Sequence, residues 1–167
     1  MKIKKLTEHI GAEISDIRID SLEQSEVDEI KEAWLAHKVL VFRNQPISVE
    51  AHIAFGKHFG ELEIHPFADN LEDYPEIIVL EAGGDSPRQN YNAAQDWHID
   101  VSFREKPPMG SILRGKSIPE HGGDTHFANA AAAYERLDSN LKSRVDDLFA
   151  VNDYTKMFGP NTRFNSD

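Results

Sequence analysis

The chain has 167 residues, 40% of them hydrophobic and 9% aromatic, which is typical of a single folded domain with its own core. A net charge of -11 argues against broad contact with a nucleic-acid backbone or an anionic membrane surface, and no apolar run is long enough to span a bilayer. The absence of cysteine excludes disulfides, thiolate zinc sites and cysteine nucleophiles, and together these features predict a cytoplasmic protein that binds neither nucleic acid nor membranes.

The first third of the chain predicts short strands alternating with helices. Residues 1–20 carry loosely alternating isoleucines around a glycine, which indicates one or two short strands. A helical stripe of apolar residues follows, with Ser25 as the predicted N-cap and an end near His37. The segment KVLVFRNQ (38–45) then predicts a short buried strand, and SVEAHIAFGKHFG (48–60) predicts a helix capped by its first serine and closed by its last glycine.

The middle of the chain predicts strands around a long loop. EIIVLEA (76–82) has the strongest strand pattern, and the Gly-, Pro- and Asn-rich residues 83–95 predict a surface loop that lines a site. WHIDVSF (97–103) and GSILRGKSI (110–118) predict two further strands. Beyond the turn PEHGGDT (119–125), Asn129 and Ser139 are predicted to cap two short helices.

From residue 76 onward the turns recur at the spacing of a β-sandwich or jelly roll. Only four or five strands are predicted there, too few to close a jelly roll of eight. The last segment, VNDYTKMFGPNTRFNSD (151–167), contains no closing element. We therefore interpret residues 1–167 as the N-terminal portion of a single mixed α and β domain.

One pair of residues suggests a metal site. In an extended strand, residues i and i+2 point to the same face, so His98 and Asp100 would present an imidazole and a carboxylate side by side. With one more histidine they would form the 2-His-1-carboxylate triad that holds non-haem Fe(II). However, chance alone predicts about one His-x-Asp/Glu match in a chain with eight histidines and 29 acidic residues. By spacing alone, a solvated histidine and aspartate are the favoured interpretation.

The residues around this pair occur in a specific order. Trp97-His-x-Asp is followed by a Ser and Phe103, by Pro107-Pro108 with Gly110, by SILRGKSIP (111–119), and by Gly-Gly-Asp-Thr (122–125). This succession resembles the core of the taurine dioxygenase and 2,4-dichlorophenoxyacetate dioxygenase family of Fe(II)- and 2-oxoglutarate-dependent enzymes. Further similar stretches lie upstream in HKVLVFRNQPIS, FGKHFGELEIHP and PEIIVL, and downstream in ANAAAAYERL. The resemblance extends over nearly all of the chain.

The resemblance implies a double-stranded β-helix (jelly roll) and assigns several residues. His98 and Asp100 fall on the first two iron ligands, and Thr125 falls on the threonine that hydrogen-bonds 2-oxoglutarate. In the family, the third ligand, a histidine, and an arginine that pairs with 2-oxoglutarate lie further towards the C-terminus than Asp167. The implied activity uses O2 to hydroxylate a small organic substrate while 2-oxoglutarate is decarboxylated to succinate and CO2. Family members commonly form dimers or tetramers, so a homo-oligomer is expected.

The substrate positions match the family in part. His65 falls on the histidine that contacts the sulfonate in taurine dioxygenase, and Phe158 falls on a substrate-binding phenylalanine, although a structural histidine beside Pro66 is the alternative for His65. Ala68 and Met157 replace more polar residues of that enzyme. A pocket with fewer donors predicts a substrate other than taurine.

Two other interpretations remain open at this point. The chain could be a truncated, non-catalytic member of the family that keeps part of the sheet. It could also be a cupin-like metal-binding protein whose site is completed by His121 or His126, although histidines in turns are usually just solvated.

Overall fold

The computed structural model describes residues 1–65, 70–80 and 97–153. The chain divides into two compact units, one formed by Met1–Leu62 with Gly115–Asp147 and the other by Glu63–Arg114 with Leu148–Asp167. In the described ranges, no helix combines the length and the apolar character that a bilayer crossing requires. All the helices and strands named below belong to the first unit: β1 (Lys2–Lys5), β2 (Ala12–Ser15), α1 (Gln24–His37), β3 (Leu40–Phe42), α2 (Val49–Lys57), α3 (Ala130–Glu135) and α4 (Ser139–Val145).

The three strands form one sheet in the order β1-β2-β3. β1 pairs antiparallel with β2, and Ile3 lies opposite Ile14. β2 pairs parallel with β3, and Ile14 lies opposite Phe42. The parallel pairing requires a long crossover, which α1 supplies between the two strands. One or two short strands were expected in residues 1–20, and the structure has two, β1 and β2.

Helix α1 packs one apolar stripe into the first unit. Val27, Ile30 and Ala33, spaced three residues apart, are its buried side chains. The prediction that Ser25 caps the helix is wrong, because a capping box formed by Glu23 and Glu26 begins it, and the Glu26 carboxylate accepts from the Glu23 N–H at 2.9 Å. The predicted end at His37 is confirmed.

The core of the first unit lies between α1, α2 and the segments that flank them. Ile19, Ile30, Ile47 and Phe55 form one buried cluster. The Ser48 side chain accepts from the Ala51 N–H at 3.1 Å, which confirms the predicted cap of α2. The predicted start of the helix is therefore correct, whereas the predicted end at Gly60 is wrong, because the helix ends at Lys57 with His58 as its C-cap.

Two short helices close the described part of the first unit. Asn129 caps α3 as predicted, since its side chain accepts from the Ala132 N–H at 3.0 Å. Asp138 caps α4 by accepting from the Leu141 N–H at 2.9 Å, so the prediction that Ser139 is the cap is wrong. A carboxylate one residue earlier takes that position, and Ser139 becomes the first helical residue.

The strands predicted from residue 76 to residue 118 are not formed in the described residues. Residues 76–80 contribute one isolated antiparallel bridge between Asn70 and Ile78, and the remaining positions of EIIVLEA and the loop 83–95 lie outside the described residues. Residues 97–103 enter a turn, and residues 110–118 are neither helix nor strand. Most of their apolar side chains are exposed, including Ile99 at 74% and Leu113 at 61%, so little burial would stabilise a strand there.

Candidate metal site

His98 and Asp100 lie side by side in the second unit. The imidazole Nε2 of His98 is 3.2 Å from Oδ1 of Asp100. The two side chains are 35% and 55% exposed, so both remain accessible from solvent. The predicted proximity of this nitrogen and this oxygen is present in the structure.

A turn, and not a strand, produces this proximity. The turn begins at Asp100, and Val101 adopts a φ of +52°, which is uncommon for a β-branched residue. The Arg104 N–H donates to the Val101 carbonyl at 3.2 Å and closes the turn. The extended geometry expected for residues 97–103 is therefore wrong, because the backbone reverses direction immediately after the pair.

A third side chain orients the carboxylate. The Ser111 hydroxyl donates to Oδ2 of Asp100 at 2.7 Å, and the other carboxylate oxygen faces His98. Two ligands in adjacent positions of an octahedral metal, each about 2.1 Å from it, lie about 3.0 Å apart. The measured 3.2 Å and the donor set of one imidazole nitrogen and one carboxylate oxygen therefore fit two neighbouring ligands of a divalent metal.

A third metal ligand is not assigned. In residues 1–65, 70–80 and 97–153, no three His, Asp or Glu side chains form a group that could hold a metal ion. His121 and His126, the alternative ligands, lie in the segment that leads to α3, in the first unit, and both are exposed. The pair is thus the full extent of the candidate metal site in the described structure.

His65 lies in the electrostatic neighbourhood of this pair. Partial burial lowers the pKa of its imidazole below the ordinary value of 6.5. The negative charges of Glu63 and Asp100 act in the opposite direction and raise it. The Asn70 amide donates to the His65 backbone carbonyl at 3.3 Å. His65, predicted from sequence as a substrate residue, is therefore half-buried and electrostatically coupled to one member of the candidate metal pair.

Two residues near His65, Glu63 and Arg104, were not predicted from the sequence as part of the site. The Arg104 guanidinium lies 2.6 Å from the Glu63 carboxylate, and its positive charge also lowers the pKa of His65. Forty residues separate these two positions in the chain, so no short-range pattern could have paired them. Only the fold of the second unit brings the two charges together.

Thr125 and Phe158 are the remaining predicted site residues. Thr125 belongs to the first unit, where it is exposed and lies four residues before the α3 cap. Gly122 and Gly123 precede it with φ of +80° and +73°, values that glycine adopts without strain and that confirm the predicted turn. Phe158 lies outside the described residues.

The chain matches a known family and known structures over most of its length. The family model described as "Taurine catabolism dioxygenase TauD, TfdA family" matches residues 2–167. An alkylsulfatase of Acinetobacter baylyi is 40% identical over 153 residues, 90% of this chain and 46% of that protein. An alpha-ketoglutarate-dependent sulfate ester dioxygenase of Pseudomonas putida is 37% identical over 144 residues, 85% of this chain and 46% of that protein.

Two solved structures are also similar. A taurine dioxygenase from Burkholderia xenovorans gives a TM-score of 0.74 at 37% identity, over 87% of this chain and 51% of that one. The protein AAD-2, solved in complex with Mn(II) and N-oxalylglycine, gives a TM-score of 0.71 at 30% identity, over 89% of this chain and 50% of that one. The chain therefore spans about half the length of the relatives that it matches.

Proposed function

The chain belongs to the taurine catabolism dioxygenase TauD/TfdA family, and we propose that it is part of an Fe(II)- and 2-oxoglutarate-dependent dioxygenase that hydroxylates a small organic substrate. Relatives named as alpha-ketoglutarate-dependent dioxygenases support this proposal. The likeness to dioxygenase structures also supports a jelly roll as the architecture of the domain, with residues 1–167 as its N-terminal portion. We also propose that the protein forms a homo-oligomer and that its other partners are O2 and a small-molecule substrate.

The observation that carries the proposal is the 3.2 Å approach of His98 Nε2 to Asp100 Oδ1. In the proposed enzyme these two atoms would hold Fe(II). Bound iron would supply the activation of O2 and of 2-oxoglutarate. The chain's own contribution here is orientation, because the Ser111 hydroxyl holds one carboxylate oxygen of Asp100 and directs the other towards His98.

Thr125 is proposed to bind the co-substrate. Its hydroxyl can donate to a carboxylate of 2-oxoglutarate, and a hydroxyl of this kind orients an anion without adding charge to the site. The exposure of Thr125, next to a turn made by Gly122 and Gly123, leaves its side chain accessible to such a ligand.

The proposed substrate carries an anionic group. The relatives' names specify sulfate esters, sulfonates and phenoxyalkanoates, all of which are anions at neutral pH. A half-buried histidine is a suitable partner for such a group, and His65 is proposed for this role, with Phe158 contacting the organic part. Since the most similar relatives quoted above act on sulfate esters, an alkyl sulfate is the first substrate to test and taurine is not expected to be preferred.

Metal binding is tested first, without oxygen. Fe(II) and 2-oxoglutarate are added to the wild-type protein and to the variant His98→Ala, and the metal-to-ligand charge-transfer absorption is recorded. We expect the band in the wild type and its loss in the variant. The matched control is the double variant His121→Ala/His126→Ala, which keeps the band if these exposed histidines take no part. A band that survives in His98→Ala, or disappears in the control, contradicts the assignment.

Turnover is tested next with the full-length protein. Succinate and hydroxylated product are quantified with hexyl sulfate, taurine and 2,4-dichlorophenoxyacetate in parallel. The proposal expects succinate formation that depends on iron, on 2-oxoglutarate and on one of the organic anions. A full-length protein that binds iron and 2-oxoglutarate but forms no succinate with any anion would instead be a non-catalytic member of the family.

A further inference from the structure

A partly buried ion pair lies near His65 in the second unit. The Arg104 guanidinium Nη2 lies 2.6 Å from Oε1 of Glu63, and that oxygen atom is buried. The two side chains as a whole are 37% and 33% exposed, so the contact lies at the edge of the solvent-accessible surface. At this depth a charge is screened less than on an open surface, and each member of the pair matters to its neighbours.

The pair joins the two segments that carry the candidate site. Glu63 lies two residues before His65, and Arg104 lies four residues after Asp100 at the close of the turn. Any group that binds at His65 is therefore close to the ion pair. The charges of the ion pair therefore act on any group that binds at His65.

Without Arg104, the net charge around His65 would be negative and would disfavour the binding of an anion. Glu63 and Asp100 each place a negative charge near the imidazole, and Arg104 supplies the positive charge that acts on it. An anion that approached His65 without Arg104 would meet two carboxylates. With Arg104 paired to Glu63, one of these carboxylates is neutralised and the other remains available to a metal.

We propose that Glu63 and Arg104 form a charge-compensating pair that sets the affinity of the His65 region for the anionic group of the substrate. This inference rests on the proposed function, because it takes His65 as the residue that the anionic group approaches. It assigns to Arg104 and Glu63 a role in specificity: Arg104 admits an anion, and Glu63 limits how strongly the anion is held. Neither residue takes part in the reaction itself.

The proposal predicts that removing the negative charge of Glu63 and removing the positive charge of Arg104 change anion affinity in opposite directions. Inorganic sulfate is titrated, without iron or 2-oxoglutarate, into the wild type, Glu63→Gln, Arg104→Gln and the double variant, and the His65 ring signal is followed by NMR. Glutamine can still accept from Arg104, so Glu63→Gln removes a charge and keeps the contact. We expect its dissociation constant for sulfate to fall about threefold to tenfold, that of Arg104→Gln to rise by a similar factor, and that of the double variant to stay within about twofold of the wild type.

Matched controls lie on the same segment. Glu105→Gln and Lys106→Gln remove the same charges from exposed side chains next to Arg104, and we expect changes below about twofold. Sulfate affinity that is unchanged or weakened in Glu63→Gln, equal effects in the controls, or no response of His65 to sulfate in any of the proteins would overturn the proposal. The titration needs no turnover, so its outcome is independent of the activity test. A protein without iron-dependent activity would contradict the proposed function, whereas the sulfate affinities would still test the role of the ion pair.

A catalytic readout separates specificity from structural damage. With hexyl sulfate as substrate, the KM should follow the sulfate affinity in each variant, whereas kcat and the KM for 2-oxoglutarate should stay within about twofold of the wild type. A loss of kcat with an unchanged KM for hexyl sulfate would show that the pair maintains structure and does not select the substrate.

Discussion

The Ser111 hydroxyl donates to Oδ2 of Asp100 at 2.7 Å across eleven positions of the chain. The bond fixes the carboxylate so that its other oxygen faces His98 Nε2 at 3.2 Å. Partners that orient metal ligands typically change metal affinity by tenfold or more when they are removed, and this bond gives Ser111 such a role.

The variant Ser111→Ala should therefore bind divalent metal about tenfold more weakly than the wild type. The measurement is a titration with Mn(II), followed by the loss of the free-ion electron paramagnetic resonance signal. Ser102→Ala is the matched control, because the Ser102 hydroxyl donates to Asn152 at 3.2 Å in the same unit. Equal losses in the two variants would mean that a general loosening of this unit, and not the orientation of Asp100, governs metal affinity.

Thr125 should act on the co-substrate and not on the metal. Thr125→Val keeps the shape of the side chain and removes its hydroxyl, so we expect the KM for 2-oxoglutarate to rise about tenfold, the usual effect of losing a hydrogen bond to a charged group. Mn(II) affinity should not change. Thr125→Ser restores the hydroxyl and should restore the KM, and a serine variant as impaired as the valine variant would contradict the assignment.

The elements of the first unit were predictable because local signals and tertiary packing agree there. The apolar stripe of α1, the Ser48 cap of α2 and the Asn129 cap of α3 each depend on residues within one or two helical turns. The errors in capping arose where a stronger acceptor lies nearby, as Asp138 does one residue before Ser139.

The stretch from residue 76 to residue 118 was predicted less well, since strand patterns carry no information on the partner strand. Residues 110–118 were predicted to form a strand, yet their apolar side chains are exposed and no neighbouring strand pairs with them in the described residues. The proximity of His98 and Asp100 was anticipated for a different reason from the one that produces it. The roles of Glu63, Arg104 and Ser111 could not be predicted, because their contacts depend on the folded chain.

Asn129 serves two elements at once, which makes it a sensitive probe of the first unit. Its side-chain oxygen accepts from the Ala132 N–H at 3.0 Å, and its amide group donates to the His9 carbonyl at 2.8 Å. Asn129→Ala should lower the free energy of unfolding by about 1–2 kcal/mol, more than Asp138→Ala, which removes a cap alone. Urea unfolding measures both values. Asn129→Asp keeps the cap acceptor and loses the donor, so an Asp variant as unstable as the alanine variant would show that the cap contributes little.

The partly buried imidazole of His65 should make stability depend on pH. Burial lowers its pKa in the folded protein below the ordinary 6.5, so the unfolded chain takes up a proton first as the pH falls. Unfolding is then favoured progressively from the unfolded pKa of His65 down to its folded pKa, and stability rises with pH across this window. Urea midpoints of the metal-free protein between about pH 5 and about pH 8 measure the slope. His65→Asn should flatten that slope, and an unchanged slope in this variant would assign the pH dependence to other groups.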